Sequence, residues 1–330
     1  MLPNLDSLAR FVRGTLGDAP TLVGYQTQWR SFQSFCAATA TPSPFPASQD
    51  DAIFLLTTFM AYEHTRGLQV STVRSYASGV KFVWSLQLGK DLIGDSMVPD
   101  QFANALAARH PDPTDNATLP LPASWLAKLP LLGSEPWEAP ATIMAFIFLW
   151  RVSNYTHHYE ASQHCMVTTL RVKHVTTTER FIEVTLIKDK NVDAETRHRR
   201  FATNSLLCPV GLYEAYVRGR STSAPNDPAF QHPDGSPVTA DDMAASLRRL
   251  AVAHSVPANL LHHYTPHALR KGGTVAARSL AFNDTWCLRE GRWAGPRSML
   301  PYVRHLPERN CATIMTQLLP GVFGTPGATR

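Results

Sequence analysis

The sequence predicts a mainly α protein with one small antiparallel sheet, an α+β layout of helices, then strands, then helices again. Three observations predict it. Apolar residues recur at helical spacing through the first third, as at Tyr25, Trp29, Phe32 and Cys36. The period drops to two in TTLRVKHV (168–175) and RFIEVTLIK (180–188), which flank the turn-like TTTE and read as a β-hairpin. Helical spacing returns from Pro209 onward.

The elements follow in order. Ile53, Leu56 and Met60 mark a second helix, separated from the first by the proline-rich TPSPFPAS, which cannot continue a helix. A third runs through GLQVSTVRSYASGVKFVWSLQ, with Ser71 as N-cap and Val73, Tyr76, Val80, Val83 and Trp84 on one face. A fourth, DQFANALAAR, ends before HPDPTDNATLPLP, whose proline density makes it the best linker in the chain. The expected organisation is a helical domain at 1–112, a linker at 113–120 with the boundary near Ala117, and a second domain at 121–330. That domain opens with helices at 124–132 and 139–150. After the hairpin, RHRRFAT offers a third short strand, and helices are expected at 209–218, 240–254 (capped by Thr239) and 267–279, where Pro266 suits an N-terminal position.

Composition excludes several classes. At 330 residues, 44% hydrophobic and 17% charged, the chain is globular in composition and long enough for two domains. The net charge of +5 is compatible with a polyanionic partner, and its excess lies beyond residue 112. Five scattered cysteines with no C-x-x-C pair argue against a disulfide framework or a zinc ribbon and for a reducing compartment. The opening residues alternate polar and apolar, unlike a secretory leader. The apolar run ATIMAFIFLW is too short to span a bilayer and reads as a buried helix, so no membrane is expected.

The segment YTPHALRKGGTVAARSLAFNDTWCLREGRWAGPRSMLPYVRH (264–305) carries the candidate chemistry. His267 and Arg270, at i and i+3 on a helix's first turn, share a face. An arginine there is a fixed-charge fork suited to phosphate oxygens, and the helix N-terminus adds favourable potential. Trp293 brings an indole N–H that can only donate, and Tyr302 a phenol that becomes nucleophilic if its oxyanion is stabilised. Arg151, at the end of a very apolar run, is an odd place for a guanidinium without a task. Taken singly, each has a bland reading: His267 a structural histidine, Trp293 core packing, Arg151 a helix-terminal cation, Lys188 and Lys190 solvated hairpin charges. Only the spacing selects the set.

That spacing resembles a known family. His-x-x-Arg, a tryptophan twenty-three positions after the arginine and a tyrosine nine after the tryptophan look like the catalytic domain of the tyrosine recombinases, or phage integrases. TPHALRKGGTVAA is similar to that family's second arginine motif, and GRWAGPRSMLPYVR to its tryptophan-to-nucleophile stretch, with a flavour of eukaryotic mobile-element versions. The resemblance implies a helical core-binding (SAM-like) domain ahead of the catalytic domain. It implies a site-specific recombinase that cleaves and rejoins DNA through a 3′-phosphotyrosyl link. Tyr302 would attack the phosphate, Arg151 and Arg270 would hold its non-bridging oxygens, and His267 would handle the tyrosine proton. Trp293 would donate to the phosphate, and Lys190, or Lys188, would protonate the leaving 5′-oxygen. No metal or cofactor is implied. Double-stranded DNA is the implied partner, bound by a homo-tetramer across two sites, in an intracellular, DNA-associated setting (nuclear in a eukaryote, otherwise cytoplasmic).

Further DNA contacts are expected from Arg197, Arg199 and Arg200 of RHRR, from Lys271 and Arg292 around the motif, and from Arg74 and Lys81 in the first domain, mostly to phosphates. Asn154 departs from the pattern, because the family usually has an acid three positions after its first arginine. Asn still hydrogen-bonds but carries no charge. A DNA-binding descendant with weakened or lost catalysis therefore stands as one alternative, and a type IB topoisomerase-like nicking-closing enzyme as another. The residues His157, His158, Glu160, His164 and Cys165 sit close together but match no standard ligand spacing, so no metal site is expected. The tail CATIMTQLLPGVF presents Ile314, Leu318 and Leu319 as an apolar stripe that either closes its own core or docks on a neighbouring protomer, and the neighbour is the expectation.

Overall fold

The computed structural model describes residues 20–110, 118–132, 135–157, 169–187, 195–221, 223–303 and 307–325. The chain divides into two compact units, Met1–Asp115 and Asn116–Arg330.

The first unit is helical in its described residues: α1 (Pro20–Ala38), α2 (Gln49–Thr65), α3 (Val70–Leu88) and α4 (Val98–Arg109). Aromatic rings at helical spacing make its core. Phe32 of α1 meets Phe59 of α2 and Trp84 of α3 edge-on, at 5.1 and 5.5 Å between centroids. The Trp84 indole N–H donates to the Pro44 carbonyl (2.9 Å), tying the proline-rich connection to this core. Ser48 caps α2 by accepting from the Asp51 amide. The Ser71 cap is corrected: α3 starts at Val70, after Gln69 and without a side-chain cap, because Val70 is buried beside Val73 and extends the apolar face backward.

The second unit begins with a 3₁₀ turn (Ala123–Lys128) leading into the single turn α5 (Leu129–Leu132), then α6 (Glu138–Ile147) and the single turn α7 (Val152–Tyr155). Every residue from Ile143 to Trp150 is at most 1% exposed, as the apolar run predicts. The helix nonetheless ends at Ile147 rather than Trp150. Leu149 takes a left-handed conformation (φ 55°), and the Trp150 amide turns back to the Ala145 carbonyl (3.1 Å).

The sheet order is β1-β2-β3, all antiparallel: β1 (Val175–Thr177), β2 (Phe181–Leu186) and β3 (Thr196–Phe201). β1 is shorter than expected and takes in Thr176 and Thr177, assigned above to the turn. Upstream, Val172–His174 is a 3₁₀ turn, because the Val172 and Lys173 amides are drawn to the Asp227 and Pro225 carbonyls instead of a strand. In β2, Ile182, Val184 and Leu186 point into the core, the period-2 pattern the sequence shows.

The helices that follow are α8 (Pro209–Arg218), α9 (Ala240–Ala253), α10 (His267–Ser279), α11 (Asp284–Gly291), α12 (Pro296–Val303) and α13 (Cys311–Leu318). Thr239 caps α9 in a capping box with Asp242. α10 lies against α6 because of Gly272 and Gly273. A Cβ on Gly273 would sit 2.0 Å from the Phe146 carbonyl oxygen, and one on Gly272 2.2 Å from that of Leu121. Backbone cannot yield as a side-chain tip can, so only glycine permits the approach that brings Arg270 under Leu149.

The tail expectation is corrected. α13 packs on its own unit: Cys311, Met315 and Leu319 form the deep face at i, i+4 and i+8, while Ile314 and Leu318 are partly buried beside it. Beyond the helix the Phe201 amide donates to the Val322 carbonyl (3.0 Å), and ahead of it the Glu308 carboxylate accepts from the Ser124 amide and hydroxyl (2.9 and 2.7 Å). Leu319→Ala is therefore expected to destabilise the protein by about 2–5 kcal/mol. Urea unfolding measures it, and an unchanged midpoint would remove the tail from this core.

Among the described residues, no helix is long and apolar enough to cross a membrane.

Candidate active site

The first turn of α10 points His267 and Arg270 toward α12. The His267 and Tyr302 rings lie 5.0 Å apart between centroids, and Tyr302 meets Trp293 edge-on at 4.8 Å. The Arg270 guanidinium sits 4.1 Å from the Trp293 ring centroid and 5.4 Å from that of Tyr302. Its Nη1 donates to the Leu149 carbonyl (2.6 Å) and its Nη2 to that of Gly291. Arg270 is fully buried, and its plane is set by two backbone carbonyls and two rings.

Arg151, half-buried just before α7, donates from Nη2 to the Arg292 carbonyl (3.2 Å). The chain from Gly291 to Arg292 thus offers one carbonyl to each candidate phosphate-binding arginine. The structure brings His267, Arg270, Trp293, Tyr302 and Arg151 together. Lys188 and Lys190 lie outside the described residues, in the stretch joining β2 to β3.

The imidazole of His267 is pushed down to about 4 by burial, then by the charges of Arg270, Lys271 and Arg151. In the unfolded chain the same group takes its proton near 6.5. Between those values protons favour the unfolded state, so this contribution to stability is present above 6.5 and is lost as pH falls toward about 4. An NMR titration should find His267 still neutral at about pH 5, ready to accept a proton. A midpoint near the ordinary value would contradict this.

The expected DNA contacts divide. β3 alternates, so RHRR is two faces and not one basic run. Arg197 and Arg199 project outward, paired to Glu195 (3.1 Å) and Glu183 (2.7 Å). Arg200 is corrected: it is fully buried, donating to the Ile147 carbonyl (2.7 Å) and to Glu290 (2.9 Å), with Phe148, Trp286 and Phe323 around its guanidinium. Lys271 is corrected likewise: it is buried and donates to the Thr118 carbonyl (2.7 Å). Arg292, 4% exposed, turns inward and donates to Asn154 Oδ1 (3.0 Å). In the first unit Arg74 donates to Asn104 (2.7 Å), and Lys81 is half-buried on the same helix.

Sequence reasoning missed Glu290. Its carboxylate accepts from Arg200 and from His198 (3.2 Å). Burial alone would raise its pKa, but Arg200 and His198 hold it well below the carboxylate range. An ionised Glu290 can only accept, so His198 carries its proton on Nδ1, and burial keeps that ring neutral. The pair anchors β3 to the end of α11, one residue before the Gly291 carbonyl. A single acid in LREGRW gives no local sign of this role.

Among the described residues, no group of three His, Cys, Asp or Glu side chains could hold a metal ion. Of the histidine-rich stretch, only His157 is described.

No family model matches the sequence, and no curated protein matches it. Solved structures do match. The Tn1549 transposon integrase in complex with circular intermediate DNA is similar at a TM-score of 0.59 and 16% identity, over 91% of this chain and 94% of that one. The XerH site-specific recombinase bound to difH substrate gives 0.57 and 13%, over 93% and 81%. A λ integrase (75–356) dimer bound to a COC′ core site gives 0.55 and 11%, over 90% and 93%. The chain shares the fold of these integrase and recombinase structures. Identities this low carry the fold and leave the chemistry to the site.

Proposed function

We propose that this protein is a DNA recombinase that cleaves and rejoins strands through a 3′-phosphotyrosyl intermediate. One observation carries the reading: on a recombinase fold, His267, Arg270, Trp293 and Tyr302 form one cluster with Arg151, which lies more than a hundred positions earlier in the sequence. The phenol oxygen of Tyr302 attacks the scissile phosphorus, a Tyr–O–P bond forms, and the P–O5′ bond breaks. His267, neutral in this setting, accepts the phenolic proton. Arg151 and Arg270 hold the non-bridging oxygens as charge accumulates on them, and Trp293 donates its indole N–H. Lys190, or Lys188, delivers a proton to the leaving 5′-oxygen. In the reverse direction a 5′-hydroxyl attacks the phosphotyrosine, so the bond energy is conserved.

Double-stranded DNA is the proposed partner. Arg197 and Arg199 on the outer face of β3, with Arg74 and Lys81 in the first unit, suit its phosphates, while the inward-turned Arg200, Lys271 and Arg292 do not. Strand exchange implies a homo-tetramer across two sites. The deep face of the tail, Cys311, Met315 and Leu319, is taken up by its own unit, and this keeps a topoisomerase-like nicking-closing enzyme as the second reading. The number of protomers on paired DNA sites separates the two.

A nicked suicide duplex, which loses its 5′-hydroxyl fragment on cleavage, tests the reading. A covalent adduct is expected, and it should form equally in excess EDTA, because the arginines supply the positive charge that other nucleases draw from metal ions. Bound but uncleaved DNA would instead assign a binding protein. Cleavage lost on chelation would redirect attention to the stretch 157–165.

A further inference from the structure

We propose that Arg292 is a positioning residue which, with Asn154, clasps the two candidate phosphate-binding arginines onto one turn; this rests on the function proposed above. Four hydrogen bonds make the case. Asn154 Oδ1 accepts from the Arg151 backbone amide (2.9 Å) and from Arg292 Nη2 (3.0 Å). In return, the Arg292 carbonyl accepts from Arg151 Nη2 (3.2 Å), and the adjacent Gly291 carbonyl accepts from Arg270 Nη2. Each partner therefore holds the other: the Arg292 side chain fixes the turn that presents its own carbonyl.

The backbone of Arg292 supports this. Its φ is 53°, in the left-handed region, which glycine adopts without the steric cost other residues meet. A long cationic side chain retained there, 4% exposed and directed at an amide oxygen 138 positions away, points to work done by that side chain. Burial also prevents it from tracking DNA phosphates.

The clasp gives Asn154 a role in place of the missing acid. A carboxylate there would neutralise a neighbouring guanidinium. The amide oxygen accepts both hydrogen bonds, from the Arg151 amide and from Arg292, and sets no negative charge beside the guanidiniums of Arg151 and Arg270. The geometry of the arginines is thus kept without discharging them.

The test pairs kinetics with a spectroscopic signature. Arg292→Gly keeps the left-handed turn and removes the guanidinium, and Asn154→Ala removes its acceptor. At saturating nicked duplex each should slow covalent adduct formation about tenfold to hundredfold, the effect of an ångström-scale misplacement, with Kd for DNA within about twofold of wild type. The double variant should be no slower than the slower single one, because both changes break one link. Arg292→Lys should fall between wild type and Arg292→Gly. Rate and affinity falling together would make Arg292 a DNA contact, and multiplying effects would make the two residues independent; either result overturns the clasp.

In the free protein, ¹⁵N spectra should resolve the Arg151 Nη–H signals, identified by their loss in Arg151→Lys. Both Arg292→Gly and Asn154→Ala should collapse them, and their persistence in both would overturn the clasp. This arm needs no catalysis. Wild-type protein that forms no adduct would sink the proposed function alone, and the spectra would still decide the clasp. If Arg292→Gly failed to fold, Asn154→Ala alone would carry both measurements.

Discussion

Tyr302→Phe is expected to bind a DNA site as wild type does and to form no covalent adduct. The substitution keeps the ring, and with it the edge-on contact to Trp293, the contact to His267 and the cover over Arg270. It removes only the oxygen proposed to bond to phosphorus, and no other group in the cluster can form that ester. Binding draws on charges spread over a wide surface, so it should not change. Gel shift and denaturing electrophoresis on one nicked duplex measure both. An adduct that survives in Tyr302→Phe would remove Tyr302 as the nucleophile.

Arg270→Lys is the second large effect, although it keeps the charge. Arg270 serves two carbonyls from two nitrogens, Leu149 from Nη1 and Gly291 from Nη2, with its guanidinium over the Trp293 ring. An ammonium group is a compact point charge that cannot span both or stack on the indole. The lysine would leave a buried carbonyl without its donor and would offer the phosphate one undirected contact. Loss of one oriented donor to a developing oxyanion costs about 3–4 kcal/mol, or roughly 10²–10³ in rate. Single-turnover cleavage at saturating DNA measures it, with circular dichroism as the check on folding. A variant within a few-fold of wild type would leave Arg270 as a structural tie between α6 and α11.

Much of the fold was legible because local chemistry and tertiary packing agree. The helices 209–218 and 267–279 carry proline near the start and a clear apolar face, and their bounds coincide with α8 and α10. Thr239 caps α9, where a threonine precedes two acids. The α+β order could be read because the apolar period changes between two and 3.6 along the chain.

What could not be read depends on contacts distant in sequence. Leu149 adopts a left-handed turn that no local residue type signals, yet this turn supplies the carbonyl under Arg270. RHRR looks like one cationic patch until strand alternation sends Arg200 inward to Glu290, a residue ninety positions away. Arg292 reads as a surface cation, and only packing turns it toward Asn154. The tail stripe was visible, but which surface covers a stripe is a tertiary fact, and here Met315 and Leu319 close their own unit.

The candidate cluster was legible for a different reason. Its residue types are uncommon together, and their spacing along 264–305 is constrained by the helices that carry them. The carbonyls of Leu149, Gly291 and Arg292 that orient the arginines were invisible, because every residue has a carbonyl and only the fold selects three of them.

The proposed reaction joins one tyrosine to DNA, and mass spectrometry of the trapped adduct identifies that tyrosine. Wild-type protein would be incubated with the nicked duplex, digested with protease and nuclease, and searched for peptides bearing a nucleotide. A single modified peptide is expected, from the segment carrying Tyr302, with the phosphate on its phenol oxygen. A nucleotide on Tyr264, Tyr213 or any other residue, or trapped DNA carrying no peptide at all, would contradict it.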